Sequence, residues 1–217
     1  MDFNLQTYQA EQLLHLGVSP SRRICVQQNS DHRWLEIDGV VQSAMVRAAP
    51  QRLCLPHQQA IADLLPTKAE RILELGLGGG DIGRHLLARW PEAQLDSVDL
   101  DAEVISLYRD FFMTTGSAER QCLHQADALA FLLKQGADYD LVLVDLFSQD
   151  GNPPLLFTPH FYQALASRLR GELIINLLPR TGRELDQVLL LVERWIGQTA
   201  LRGVPGCINQ IVHARKA

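Results

Sequence analysis

The chain has no Cys-x-x-Cys pair, no long apolar run and no excess of positive charge, and each absence removes a class of function. Its four cysteines, Cys25, Cys54, Cys122 and Cys207, are scattered over 217 residues. That spacing gives neither a zinc-ligand set nor a disulfide framework, so no metal is expected and the chain reads as reduced and cytoplasmic. No stretch approaches the roughly 18 apolar residues that span a bilayer, and the opening MDFNLQTYQAEQ lacks the basic start and apolar run of a secretory signal. No membrane partner is expected. Twenty Lys and Arg against 25 Asp and Glu leave a net charge of −5. That sign is wrong for a nucleic-acid binder working through bulk charge and suits a cationic small molecule. There is no internal repeat or low-complexity tract, and a composition 47% hydrophobic and 21% charged excludes a disordered chain.

What is present falls into two textures. Residues 7–17 (TYQAEQLLHLG) read as a short amphipathic helix ending at Gly17. Strand-like runs follow at Arg23–Gln28, Arg33–Ile37 and Val40–Val46, the last two joined by the hairpin dipeptide Asp38-Gly39. Residues 1–55 are therefore expected to form a small helix and antiparallel β region, preceding a main domain at 56–217. Pro56 opens a helix to about Leu65, closed by Pro66. From Arg71 the pattern alternates: strands Arg71–Leu75, Gln94–Val98, Gln121–Gln125, Leu141–Asp145 and Glu172–Leu177, with helices Ile82–Trp90, Ala102–Phe112, Ala128–Gln135, Pro159–Arg168 and Arg183–Gly197. Apolar strands such as LVLVD alternating with helices mean an α/β fold with a parallel sheet covered on both faces. The end, Ala200–Val204 and Cys207–Ala214 around Pro205-Gly206, reads as an antiparallel pair. Five βα units plus a hairpin is similar to the order of a class I S-adenosylmethionine-dependent methyltransferase fold, a Rossmann-like, mostly parallel seven-stranded sheet.

The glycine turn carries the most information. Glu74-x-Gly76-x-Gly78-x-Gly80 matches the acidic-x-G-x-G-x-G pattern of S-adenosylmethionine enzymes, and Gly78-x-Gly80-x-x-Gly83 matches the weaker dinucleotide fingerprint. A P-loop is excluded because no Lys-Ser/Thr follows. An acid about 20 residues on accepts from ribose in such folds, and Asp99 stands 23 residues after Gly76. Asp127, at the end of the third strand, is placed either to accept from an adenine amine or to cap the next helix. Asp145 ends the fourth strand beside the nucleoside's reacting end. Asp150, on the polar loop Ser148–Pro154, reads as a solvated turn residue. His57 is either a general base or a surface histidine. The other histidines show no ligand spacing, and Trp34, Trp90 and Trp195 read as core.

Together these segments resemble the spermidine synthase family of aminopropyltransferases, over roughly Trp34 to Leu178. The likeness runs through Leu35-Glu-Ile-Asp-Gly-Val-Val-Gln42, the glycine turn, Val98-Asp-Leu-Asp101, Ala126-Asp-Ala128, and Tyr139-Asp-Leu-Val-Leu-Val-Asp145 with the loop that follows. The resemblance implies a donor site of Glu74, Gly76, Gly78, Gly80, Asp99, Leu100, Asp127 and Ala128. It further implies Gln42, His57 and Asp150 toward the substrate and Asp145 as catalytic acid/base. It implies S-adenosylmethionine or its decarboxylated form as donor and a small-molecule amine as acceptor, and with the edge-exposed N-terminal hairpin it implies a homodimer through β-pairing.

The sequence departs from that family at four places. Gly79 replaces the aspartate that grips the aminopropyl ammonium. His57-Gln58-Gln59 replaces a Tyr, His/Gln, Glu run. Ser148 replaces an aspartate, with Asp150 two positions late, and the N-terminal β region is short. Since an aliphatic amine has a pKa near 10.4, holding one neutral at pH 7 costs roughly 4–5 kcal/mol. Lost carboxylates thus weaken a polycation's binding, and Gly79 removes repulsion toward the carboxylate of intact S-adenosylmethionine. Methyl transfer on the same fold, and a non-catalytic nucleoside binder, stand as alternatives to aminopropyl transfer.

Overall fold

In the computed structural model, which describes residues 8–134, 136–148 and 151–217, two sheets share the chain. The first is antiparallel, in the order β1 (Gln12–Ser19), β2 (Arg22–Gln28), β3 (His32–Ile37), β4 (Val40–Val46). The expected helix at 7–17 is corrected: its described part holds β1, paired antiparallel to β2 with a bulge between Leu13 and His15. Leu13, Leu16 and Val18 stay exposed, so no core is offered to a helical face. The free edge of β2 supplies a ladder instead, and tertiary pairing overrides the local pattern. Asp38 adopts φ 50° and Gly39 φ 79°, the left-handed pair of a tight hairpin.

The second sheet has seven strands in the order β10-β11-β9-β8-β5-β6-β7. Its members are β5 (Arg71–Leu75), β6 (Gln94–Asp99), β7 (Gln121–Gln125), β8 (Tyr139–Val144), β9 (Leu169–Leu177), β10 (Thr199–Gly203) and β11 (Gln210–Arg215). Strands β5 to β9 are mutually parallel, while β11 runs antiparallel to β9 and β10. The central strands are apolar on both sides because helices cover both faces. On one face Phe161, Tyr162, Leu165, Val188 and Val192 pack from α6 (Pro159–Arg168) and α7 (Gly182–Trp195). On the other, Ile61 of α1 (Pro56–Ala62) joins Leu86 and Leu87 of α2 (Asp81–Arg89), with Trp90 just beyond it.

Helix boundaries move where side chains claim backbone carbonyls. The helix expected over Ala102–Phe112 is α3 (Ala102–Leu107) continued by a wide π turn at Tyr108–Phe112. There Arg33 takes the Phe111 carbonyl and Arg84 that of Phe112. This turn and α3 carry Val104, Ile105, Leu107, Tyr108 and Phe112 onto Ile24, Val26, Leu35 and Met45, fastening the first sheet to the second. A short α4 (Thr115–Ala118) follows, and α5 (Ala128–Leu133) ends before Lys134. The Arg168 guanidinium donates to the Leu132 and Lys134 carbonyls at the end of α5. Trp34 and Trp90 are buried, whereas Trp195 is half-buried. Among the described residues no helix is long and apolar enough to cross a membrane.

Strand order reverses beside β5, with β6 and β7 on one side and β8 and β9 on the other. That switch point is where open α/β sheets leave a crevice at their strand carboxyl ends.

Candidate active site

A cavity of about 1630 Å³ opens over that crevice, walled below by the ends of β5, β6, β7, β8 and β9 and above by the first sheet. Its floor depends on two glycines. Gly76 has φ +95°, and a Cβ there would overlap the Asp145 carbonyl oxygen, so only glycine lets the ends of β5 and β8 lie this close. The two are bonded there, Asp145 N donating to Leu75 O at 2.8 Å, while Gly76 N donates to Val98 O of β6 at 2.8 Å. Gly79 is crowded in a different way, because a Cβ would fall on the Ser43 side chain, 2.7 Å from its Cβ. At Gly78 a Cβ would meet nothing within 4 Å, so the free volume of the cavity reaches that residue.

The acids divide by what holds them. Glu74 is 3% exposed and accepts from Gly83 N at 3.1 Å and Ser97 Oγ at 2.6 Å. Burial pushes its pKa up to about 8, so at pH 7 it is largely a neutral acid that braces the glycine turn from behind. Asp99 accepts from Leu77 N and Asp101 N, each at 2.9 Å, and burial raises its pKa above the usual carboxylate value. It thereby locks the turn to the end of β6 while lining the cavity. The cap of α3 is Asp101, not Asp99. Asp127 caps α5 through Oδ1, accepting from Ala130 N at 2.9 Å, and it also lines the cavity. The two readings of Asp127 are therefore compatible. Ala128 is buried beside it, and Leu100 is exposed on the rim.

Asp145 is half-buried at the end of β8. Burial raises its pKa, opposed by the nearby His57 and by a hydrogen bond from Asn176, with Asp81 adding repulsion. Asn176 Nδ2 donates to Asp145 Oδ1 at 2.8 Å, and Asn209 Nδ2 donates to Asn176 Oδ1 at 2.8 Å. His57 is half-buried and lines the cavity. Gln42 also lines the cavity, its amide donating to Val40 O at 3.2 Å. Asp150 lies outside the described residues.

Several wall residues escaped the sequence reading. Asp81, 4% exposed, is bonded to the guanidinium of Arg84 and accepts from Ala44 N and Gln58 Nε2, both at 2.9 Å. This buried ion pair joins β4, α1 and the glycine turn. Asn176 and Asn209 had one usable signal: Asn176 interrupts the apolar run of β9, where a buried amide must find a partner. Ser43 had none.

Residues 60–178 match the family model for the spermine/spermidine synthase domain. The chain is 32% identical to the polyamine aminopropyltransferase of Vibrio vulnificus over 58% of its length and 44% of that protein's. It is 26% identical to the eEF1A lysine and N-terminal methyltransferase of Mus musculus over 74% of its length and 26% of that protein's. The chain thus spans less than half the length of either curated relative. The crystal structure of a probable spermidine synthase from Corynebacterium glutamicum shares the fold at TM-score 0.81 and 22% identity, over 96% of this chain and 81% of that one.

Proposed function

The chain belongs to the spermine/spermidine synthase domain family, and on that premise we propose that it is a transferase alkylating an amine acceptor from an adenosyl sulfonium donor. The observation that carries this reading is the opposition of two acids across one glycine turn: Asp99 anchored by backbone amides, Asp145 held by the side chain of Asn176. Asp99, with Asp127, supplies acceptors where ribose hydroxyls and an adenine amine need them. The open volume at Gly78 fits a nucleoside running along the turn. When bound, the donor supplies an electrophilic carbon next to a positively charged sulfur. The acceptor nitrogen forms its new bond to that carbon, the carbon–sulfur pair stays on sulfur, and the proton leaving nitrogen goes to the Asp145 carboxylate. The site's contribution is alignment of the amine and removal of its proton.

Curated relatives include both aminopropyl- and methyltransferases, which supports the transferase class and leaves the group transferred to the donor-binding end of the cavity. The edge strand β1, with Leu13, Leu16 and Val18 exposed, supports a homodimer. A monomer mass by light scattering refutes it.

The test of the main reading is Asp145→Asn. Transfer to amines falls by about 10²–10⁴, the usual worth of a positioned base, while calorimetric binding of methylthioadenosine stays within about twofold. Equal loss of both, or no loss of transfer, overturns the assignment.

A further inference from the structure

Resting on that transferase reading, we propose that Arg180 binds an anionic group of the acceptor, so that the molecule alkylated is an amine ending in a carboxylate and not a polyamine.

The placement comes from the sheet. β8 and β9 are parallel neighbours with Val144 beside Ile175, so both leave the sheet at the same edge. Asn152 binds the two exits together: its Nδ2 donates to Leu178 O at 2.6 Å and its Oδ1 accepts from Leu178 N at 3.0 Å. Arg180 follows two residues later. Its backbone is held by Glu184, whose carboxylate accepts from Arg180 N at 2.8 Å. The guanidinium lies against the loop after β8. A Cβ built on Gly151 would stand 3.2 Å from Arg180 Nη2 and 3.3 Å from Nε, closer than ordinary packing. Gly151, at φ +96°, therefore leaves the guanidinium its place. Gly151, Arg180, Asp145 and Asn176 line one cavity.

The second observation is what the guanidinium lacks. Arg22, the other arginine of the cavity wall, is bonded to Asp101 and Glu103, and Arg84 is bonded to Asp81. Arg180 is exposed, and its guanidinium has no hydrogen bond or ion pair with any described residue. Its planar fork of N–H donors matches the two oxygens of a carboxylate.

The third is the charge that an acceptor meets. Asp145 takes a hydrogen bond from Asn176 and faces the reacting nitrogen. Asp81 is neutralised by Arg84 and also accepts from Ala44 N and Gln58. Among the described residues no further acid of the wall stands on the exits of β8 and β9. A diamine with one nitrogen at Asp145 would carry its second ammonium toward Arg180, where like charges repel. A carboxylate in that position meets an opposite charge instead. Phe147 and Leu178, two residues past Asp145 and Asn176, give the same wall apolar surface for the methylenes between.

The experiment offers the full chain 4-aminobutyrate and 5-aminovalerate against putrescine and cadaverine, pairs of matched length ending in a carboxylate or an ammonium. S-adenosylmethionine and its decarboxylated form each serve as donor. Calorimetry on the methylthioadenosine complex reads acceptor binding separately from turnover. The wild type is expected to favour the amino acids at least about tenfold, in kcat/KM and in Kd. Arg180→Gln is expected to raise KM for the amino acids about tenfold with kcat within about twofold, and to leave the diamines unchanged. Arg180→Glu is expected to invert the preference. Because Arg180 is exposed, neither variant should disturb the fold, and unchanged methylthioadenosine affinity checks that. A wild type that favours diamines, or an Arg180→Gln protein that keeps the wild-type ratio, overturns the proposal. If diamines are alkylated and Asp145→Asn abolishes it, the transferase reading survives and only the Arg180 assignment falls. If methylthioadenosine does not bind, the reading beneath falls, and the proposal with it.

Discussion

At the glycine-turn end of the cavity the polar groups are tied mainly to backbone: Asp99 to two amides, Glu74 to Gly83 N, Gly76 N to Val98 O. At the Asp145 end they are tied to side chains from distant elements, Asn176 on β9 and Asn209 just before β11. Nearby, Asn152 is bonded to the backbone of Leu178. Backbone-held geometry tolerates sequence change everywhere except at its glycines and acids. Side-chain-held geometry changes with each substitution.

The sharpest way to break the comparison is at the seam between the two ends. Gly76→Ala places a methyl on the Asp145 carbonyl in a left-handed conformation, at an expected cost of about 3 kcal/mol or more. Urea denaturation should show that loss, together with loss of nucleoside binding. Stability within about 1 kcal/mol of wild type would mean the ends are not joined at this point.

Asn176→Leu acts on one end only. It removes the donor to Asp145 and leaves the buried Asn209 amide unpaired. Transfer at neutral pH should fall about tenfold, and the rising limb of the pH–rate profile should move to higher pH, because the charged form of Asp145 loses a hydrogen bond. Methylthioadenosine affinity should not change. An unshifted profile would reduce Asn176 to packing.

Glu74→Gln tests the donor end through stability. Glu74 titrates near 8 when folded against an ordinary 4.5. The raised folded value means its stabilisation is fully present below pH 4.5 and is lost as pH rises through 8, at up to about 1.4 kcal/mol per pH unit. The amide has no such proton to lose, so melting temperatures at pH 5, 6.5 and 8 should fall less steeply in Glu74→Gln. Parallel slopes refute the neutral acid.

The smallest effect belongs to Asp127. Asp127→Ala should cost about 1 kcal/mol for the α5 cap and also weaken nucleoside binding. Asp127→Asn keeps the cap, so weaker nucleoside binding at unchanged stability separates the two roles.

Much of the fold was legible because its signals are local. Apolar strands, the Asp38-Gly39 turn and the glycine run each announce themselves within a few residues, and β4, β5, β7 and α6 begin and end where the pattern put them. The misread segments are those whose conformation is chosen by a partner. β1 is a strand because β2 offers an edge, and the π turn exists where Arg33 and Arg84 claim carbonyls. In the site, the acids at strand ends were legible because a parallel sheet delivers them to one edge. Ser43, Asp81, Asn176 and Asn209 were not, since their meaning lies in contacts over 30 or more residues of separation.

The α/β class, the glycine turn and the placement of Asp99, Asp127 and Asp145 along one edge were determined by the sequence alone, because strand periodicity and glycine spacing act over single turns of chain. Only the tertiary structure decided which acids keep a free charge. Burial protonates Glu74, Arg84 neutralises Asp81, and Ser43 fills the space that a side chain at 79 would need. Desolvation and steric overlap depend on what surrounds a group in space, and no local pattern records that.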